Sequence, residues 1–249
     1  MSNVKEKDSI LFAALKDLDA QMTKENLPPV NLKVIGGFAL LCHKVRKNLD
    51  AYTDIDYIGP ELSVRVKELS ESIGIKYNLG THWLNNDFLL TGNTLEDIEF
   101  STGKLHFRDS YRLNKITLEI LSKTDLLKLK IIAIDTALSS VGYEDALSRY
   151  KDLFDISLLI NDLGINLKQF TQKLDSQNLV INPNTYKVIN TFIKYGEKET
   201  LNLIEDIREE DRLLYDSDID ENLDKDDDSL VAEFASTFNL PIPEDICYE

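Results

Sequence analysis

Two short stretches carry residues whose types and spacing suit chemistry. The first is Thr53-Asp54-Ile55-Asp56-Tyr57-Ile58. On an extended strand the side chains alternate between faces, so Asp54 and Asp56 point one way while Ile55 and Tyr57 face the other layer. Two carboxylates on one strand face repel each other unless a cation lies between them. Mg²⁺ suits such a pair, because it takes one or two carboxylates and completes its shell with water and phosphate oxygens. The second stretch is Gly36-Gly37, which follows Val30-Asn31-Leu32-Lys33-Val34 and precedes Phe38, Leu41, Cys42 and Val45. The first run alternates apolar and polar after Pro28-Pro29, which reads as a strand; the later residues fall at i, i+3, i+4 and i+7, which reads as a helix from Phe38 to Val45. The glycines therefore sit at a strand-to-helix junction, where main-chain amides can approach a phosphate closely and the helix dipole favours an anion. Taken singly, each stretch is also compatible with a plain turn and with a strand end facing water. Glycine pair, helix and then Asp-x-Asp, in that order, point to metal-held phosphates and nucleotidyl transfer.

The elements that must position these residues are legible from periodicity. Ile10, Leu11, Ala14, Leu15, Leu18 and Met22 form one stripe of an N-terminal helix capped near Asp8 or Ser9, suited to covering a sheet. Ile116 to Leu121 is a strand-like run, after which Ser122-Lys123-Thr124-Asp125-Leu126 opens a helix that includes Lys130. Beyond Asp162-Leu163-Gly164, helices are expected near Leu167 to Leu174, from Pro183 to Tyr195 and from Glu197 to Tyr215, the second opened by Asn182-Pro183 and closed by Gly196. On the helix around residue 152, Lys151 and Asp155 are spaced i, i+4 and Arg149 and Asp152 i, i+3, so they can pair with each other. His43, His82 and His106 share no metal-ligand spacing with one another or with the cysteines and read as structural or surface residues.

Gly36-Gly37, the short helix after them and Asp54-Ile55-Asp56 resemble the signature of the nucleotidyltransferase (DNA polymerase beta-like) superfamily. Asp125-Leu126 followed by Lys130 is similar to an Asp-Leu, three residues, Lys element of the minimal bacterial nucleotidyltransferases that include the AbiEii-type toxins. Lys151-Asp152-Leu153-Phe154-Asp155 resembles the Lys-Asp-x-x-Asp element of the same group, and Trp83-Leu84-Asn85 a short motif in its bacterial relatives. The resemblance covers roughly residues 30 to 160. It implies that Asp54 and Asp56 hold one or two Mg²⁺ ions, that Gly36 and Gly37 cradle an NTP substrate, and that Lys130, Lys151 and Asp152 help to bind the nucleotide. It also implies a third catalytic carboxylate, for which Glu119 in Ile116-Thr117-Leu118-Glu119-Ile120 is the first candidate and Glu99 the second. The chain departs from the pattern at Asp50 and Tyr52, where relatives carry Arg and Ser or Thr.

Composition bounds the rest. With 249 residues, 43% of them hydrophobic, the chain can bury a substantial core, and its two cysteines, Cys42 and Cys247, make neither a disulfide framework nor a zinc cluster. The N-terminus lacks a signal-peptide apolar region and no run is long enough to span a bilayer, so a cytoplasmic protein with no membrane partner is expected. The net charge of -16 is concentrated: residues 201–249 hold 17 acids and 3 bases, a net of -14, whereas residues 1–200 hold 27 acids and 25 bases, a net of -2. The body is thus close to neutral, without the basic stripe of a nucleic-acid binder, although an RNA acceptor stays compatible with it. Residues 216–228 are too charged to pack and lack the glycine and spaced Glu of a calcium loop. Leu230, Val231, Phe234 and Phe238 beyond them form a short apolar face, suited to docking on the chain's own helices or to carrying an antitoxin or other protein partner.

The expected architecture is α+β and nucleotidyltransferase-like: residues 1–165 as the sheet-bearing domain with its N-terminal helix, 166–215 as a helical subdomain and 216–249 as an acidic tail. The expected function is Mg²⁺-dependent transfer of a nucleoside monophosphate from an NTP to RNA, protein or a small molecule, in a setting such as a toxin–antitoxin or phage-defence pair. The alternative is a catalytically degenerate nucleotide-binding or protein-interaction module on the same fold.

Overall fold

A computed structural model describes residues 10–46, 54–86, 103–139, 150–177 and 179–207, together with Glu99 and Glu209. The described elements run α1 (Ile10–Lys24), β1 (Val30–Val34), α2 (Gly36–Cys42), β2 (Ile55–Ile58), α3 (Val64–Lys76), β3 (Leu84–Asn85), β4 (Phe107–Arg112), β5 (Ile116–Leu121), α4 (Lys123–Ser139), α5 (Tyr150–Leu163), α6 (Leu167–Asp175) and α7 (Pro183–Tyr195). The chain divides into two compact units, Met1–Gly196 and Glu197–Glu249, so α6 and α7 lie in the same unit as the sheet. In the second unit residues 197–207 are helical. The expected caps at Asp8 and Ser9, the departures at Asp50 and Tyr52, Arg149, Cys247 and the whole acidic tail lie outside the described residues.

The fold is mixed α/β. Five described strands form one open sheet in the order β3-β2-β1-β5-β4, with β1 antiparallel to β2 and parallel to β5, β2 parallel to β3, and β4 antiparallel to β5. The alternation in β1 and β5 sets its two faces: Leu32, Val34, Ile116, Leu118 and Ile120 are buried, whereas Asn31 is exposed and Lys33, Thr117 and Glu119 are half-buried. This is the pattern of a sheet with one face in the core and the other polar. The apolar stripe of α1 is buried from Leu11 through Met22, while Ile10, at the helix start, stays half-exposed. Phe12 of α1 packs tilted on Phe38 of α2 and edge-on to Tyr111 of β4, with ring centroids 5.0 and 5.4 Å apart.

Asp19 interrupts the stripe for a reason. Its carboxylate is buried and accepts hydrogen bonds from the amides of Asn114, Lys115 and Ile116 at 3.2, 2.6 and 3.0 Å, tying α1 to the β4–β5 turn. Trp83 does the same for the other side of the sheet. Its indole nitrogen donates to the Ser70 carbonyl at 2.8 Å, and Gly74 is the residue that lets α3 approach: a Cβ there would lie 2.5 Å from the Trp83 ring and 2.0 Å from the Gly80 carbonyl oxygen. The Trp83 carbonyl accepts from the Ile55 amide, so the Trp83-Leu84-Asn85 stretch is the strand that flanks β2.

One boundary differs from the expectation. α2 begins at the glycines themselves and ends at Cys42, not Val45, because Lys44 takes a left-handed backbone (φ 58°) that stops the helix; Val45 is still buried. The caps at α7 follow the sequence: the Asn182 side chain accepts from the Asn184 amide, Pro183 opens the helix and Gly196 (φ 86°) closes it. Among the described residues no helix is long and apolar enough to cross a membrane.

Candidate functional site

The carboxylate pair lies where β1 ends. Val34 pairs with Tyr57, and the Ile35 amide donates to the Asp56 carbonyl at 3.0 Å, which puts Asp56 directly beside the turn into α2. Gly36, at φ +63°, is the point of closest approach: a Cβ built on it would meet Asp56 Oδ2 at 2.4 Å. The Asp56 carboxylate therefore occupies the space that any side chain at position 36 would need. Asp54 stands two residues earlier at the entry to β2, and both acids are half-buried. The fold thus brings together the glycine pair and the first two acids, which are separated in sequence by a helix and a connection. No side chain caps the start of α2.

The register also locates Glu119. Lys33 pairs with Glu119 on one side of β1 and with Ile58 on the other, so Glu119 shares a sheet face with Asp56 and the buried Ile58. It stands two strand spacings across and two residues along from Asp56, roughly 12 Å between Cα atoms. Its carboxylate accepts from Asn31 Nδ2 at 2.9 Å. Glu99 is turned to another task, accepting from the Leu105 amide at 3.1 Å. Among the described residues no group of three or more His, Cys, Asp or Glu is arranged to hold a metal ion.

Lys130, Asp152 and Asp155 come together, with Arg46, in a buried charge cluster. Lys130 Nζ lies 2.5 Å from Asp152 Oδ1 and 2.7 Å from Asp155 Oδ2, and the Arg46 guanidinium binds Asp155 Oδ1. Arg46 also stands 5.7 Å over the Phe154 ring. Two cations face two anions, which is the condition for holding charges out of water. The cluster clamps the exit of α2 to α4 and α5. This overturns the pairing of Lys151 with Asp155 along one helix: Asp155 turns inward to Lys130 and Arg46, and Lys151 is exposed.

A second network holds the start of α4. Ser122 caps it, its hydroxyl accepting from the Asp125 amide at 3.2 Å and donating to Asp125 Oδ2 at 2.7 Å. The His106 amide donates to the same oxygen at 2.9 Å, and Lys128 Nζ lies 3.2 Å from Oδ1. Burial pushes the Asp125 carboxyl up, but the Ser122 hydroxyl, the His106 amide and the Lys128 charge together outweigh it and hold the group below its ordinary value. This network opens into a cleft of about 710 Å³ lined by His43 just past α2, the stretch before β4, and residues of β4, α4, α5 and α6. Sequence reasoning had no signal for it, since its cations, Lys104, Arg108, Lys128 and Lys173 among them, are spread over some seventy residues. The adjacency of His106 and Arg108 in an alternating strand was the nearest hint.

Compared with protein-family models, curated proteins and solved structures, the chain matches none of them.

Proposed function

We propose that this protein is a Mg²⁺-dependent nucleotidyltransferase, with a nucleotidyltransferase-like α+β fold, that moves a nucleoside monophosphate from an NTP to an acceptor. The observation that carries the reading is the Asp56 carboxylate lying against Gly36 at the start of a helix. Two half-buried carboxylates two residues apart, Asp54 at the entry to β2 and Asp56 within it, fit an ion that keeps water and phosphate oxygens in its shell. Bound there, Mg²⁺ would neutralise the phosphates and the pyrophosphate leaving group. Asp54 and Asp56 hold the site's negative charge in a fixed position, and the Gly36–Gly37 amides provide donors for phosphate oxygens. Lys130 and Asp152 act through the buried cluster, fixing α2 relative to α4 and α5, and so are positioning residues in this reading.

A second reading, a nucleotide-binding module without transfer, draws support from Glu119, whose carboxylate is engaged by Asn31 and stands two strands from Asp56. One experiment separates the two. Wild type and the Asp54→Ala, Asp56→Ala double variant are incubated with each labelled NTP, Mg²⁺, total bacterial RNA and lysate, and resolved on gels. Transfer predicts label on RNA, protein or a small acceptor from wild type and none from the variant. Mg²⁺-dependent NTP binding without label would replace transfer by the module.

A further inference from the structure

The cleft beside α4 has a charge excess that the acids among the described residues do not balance. Five cationic side chains line it, Lys104, Arg108, Lys123, Lys128 and Lys173, against one acid, Asp125. Lys123 is paired with Asp162 at 2.6 Å and Lys128 with Asp125 at 3.2 Å. Lys104, Arg108 and Lys173 are exposed, and no acid among the described residues pairs with them. The cleft thus carries a surplus of about three positive charges, gathered from β4, the stretch before it and α6 into one concavity, where low-dielectric walls concentrate the field. The start of α4, a helix of 17 residues, points its first amides the same way, since Lys123 and Thr124 line the cleft and their N–H groups precede the first intrahelical bond, from Leu126 to Ser122. Asp125 does not cancel this, because Ser122, His106 and Lys128 already satisfy its two oxygens. Phe170 and Leu174 of α6 add apolar lining beside Lys173.

We infer that this cleft binds a small ligand carrying two or more phosphate groups, with the phosphates among Lys104, Arg108 and Lys173 at the start of α4 and the remainder of the ligand against Phe170 and Leu174. The volume lies in the range that encloses small ligands, roughly 300–1,000 Å³. A nucleic-acid strand needs a basic stripe, and residues 1–200 are nearly neutral, which favours a small ligand. The site is set apart from Asp54 and Asp56: Arg108 is on β4 and Asp56 on β2, three strand spacings away in the sheet order, about 14 Å. Its anion binding is built from fixed cations and amides and so requires no metal, whereas the acids require one.

The test is calorimetric titration of the full chain, in metal-free buffer, with pyrophosphate, with ATP and with a short single-stranded RNA. Pyrophosphate and ATP bind wild type, and the Lys104→Glu, Arg108→Glu, Lys173→Glu triple variant loses at least about tenfold in affinity. These three side chains are exposed, so the variant keeps its fold, as circular dichroism checks. The Asp54→Ala, Asp56→Ala variant binds as wild type does, which separates this site from the proposed transfer site whatever the fate of that proposal. The inference is overturned by any of four results: no binding of either phosphate ligand, unchanged affinity in the triple variant, loss of binding in the double-alanine variant, or tighter binding of RNA than of ATP.

Discussion

Gly36→Ala tests the central contact of the candidate site. Two costs are expected from the geometry. Alanine in the left-handed region at φ +63° costs about 1–2 kcal/mol whatever surrounds it. The added Cβ also lies 2.4 Å from Asp56 Oδ2, far inside contact distance, and forcing an atom into occupied space costs typically about 1–3 kcal/mol more. The sum is about 2–5 kcal/mol in the wild-type background. In an Asp56→Ala background the second cost disappears, because the nearest remaining atom of residue 56, its Cβ, is 3.4 Å away, close to ordinary contact. Urea unfolding of wild type, both single variants and the double variant closes the cycle. The Gly36→Ala penalty is expected to fall to about 1–2 kcal/mol without Asp56, leaving a coupling of about 1–3 kcal/mol. Equal penalties in the two backgrounds would refute the claim that position 36 is glycine to admit the Asp56 carboxylate. Labelled transfer, where wild type shows it, should fall in Gly36→Ala, since the displaced carboxylate is one of the two proposed to hold Mg²⁺.

Four further outcomes follow from the same geometry. Asp19→Ala leaves three β4–β5 amides without their acceptor and should cost about 3 kcal/mol in urea unfolding; a change near zero would mean water replaces the carboxylate. Lys130→Met removes the shared partner of Asp152 and Asp155 and should cost about 3–5 kcal/mol, so an unchanged midpoint with lost nucleotide binding would return Lys130 to the substrate. Ser70→Ala should be neutral within about 0.5 kcal/mol or stabilising, because the buried hydroxyl has no partner among the described residues and the Trp83 bond goes to the Ser70 main chain. For Asp125 the folded-state carboxyl lies below its ordinary value of 3.8, so its contribution is fully present above the unfolded value and is lost as pH falls through the lower folded one. The stability gap between wild type and Asp125→Asn, followed by urea unfolding across a pH series, should therefore be constant from neutral to mildly acid pH and shrink below about pH 4; a gap that widens in acid would contradict it.

What was legible in the sequence was what local periodicity and backbone chemistry dictate. β1 alternates over five residues, Gly36 sits where the backbone turns left-handed, and Asn182, Pro183 and Gly196 punctuate α7, so each appears where the pattern puts it. What was not legible depends on partners distant in the chain. Nothing near Glu119 announces Asn31, because their contact follows from a parallel register between strands some eighty residues apart. Asp19 reads as a polar flaw in an apolar stripe until the β4–β5 turn supplies three donors. Asp155 had an exposed partner one helical turn away in Lys151, yet it pairs with Lys130 and Arg46. A solvated i, i+4 pair contributes only about 0.3–0.5 kcal/mol, whereas a carboxylate at a helix interface must be neutralised where it is buried, so tertiary position decides the pairing.

The same reasoning explains why net charge says so little here about binding. Over residues 1–200 the acids and bases nearly cancel, yet the fold spends them unequally. At the α2–α4–α5 junction Lys130 meets both Asp152 and Asp155 and Arg46 meets Asp155, so opposite charges face each other in a largely buried clamp. At the start of α4 one acid is outnumbered by cations, and at the β1–α2 turn Asp56 of β2 lies against Gly36, two residues after Asp54. Full pairing is what a structural cluster needs to be buried without loss. An excess of one sign within a concavity or on one strand face instead raises the energy of the empty protein and is relieved by a ligand of the other sign. On that criterion the Lys130 cluster belongs to the scaffold, whereas the proposals of a cation at Asp54 and Asp56 and of an anion in the α4 cleft rest on like charges gathered in one place. The proposed cation and anion sites are opposite in sign and stand in one sheet-bearing unit, so metal and phosphate should bind each without the other: chelation should abolish metal binding at the acids and leave the cleft unchanged.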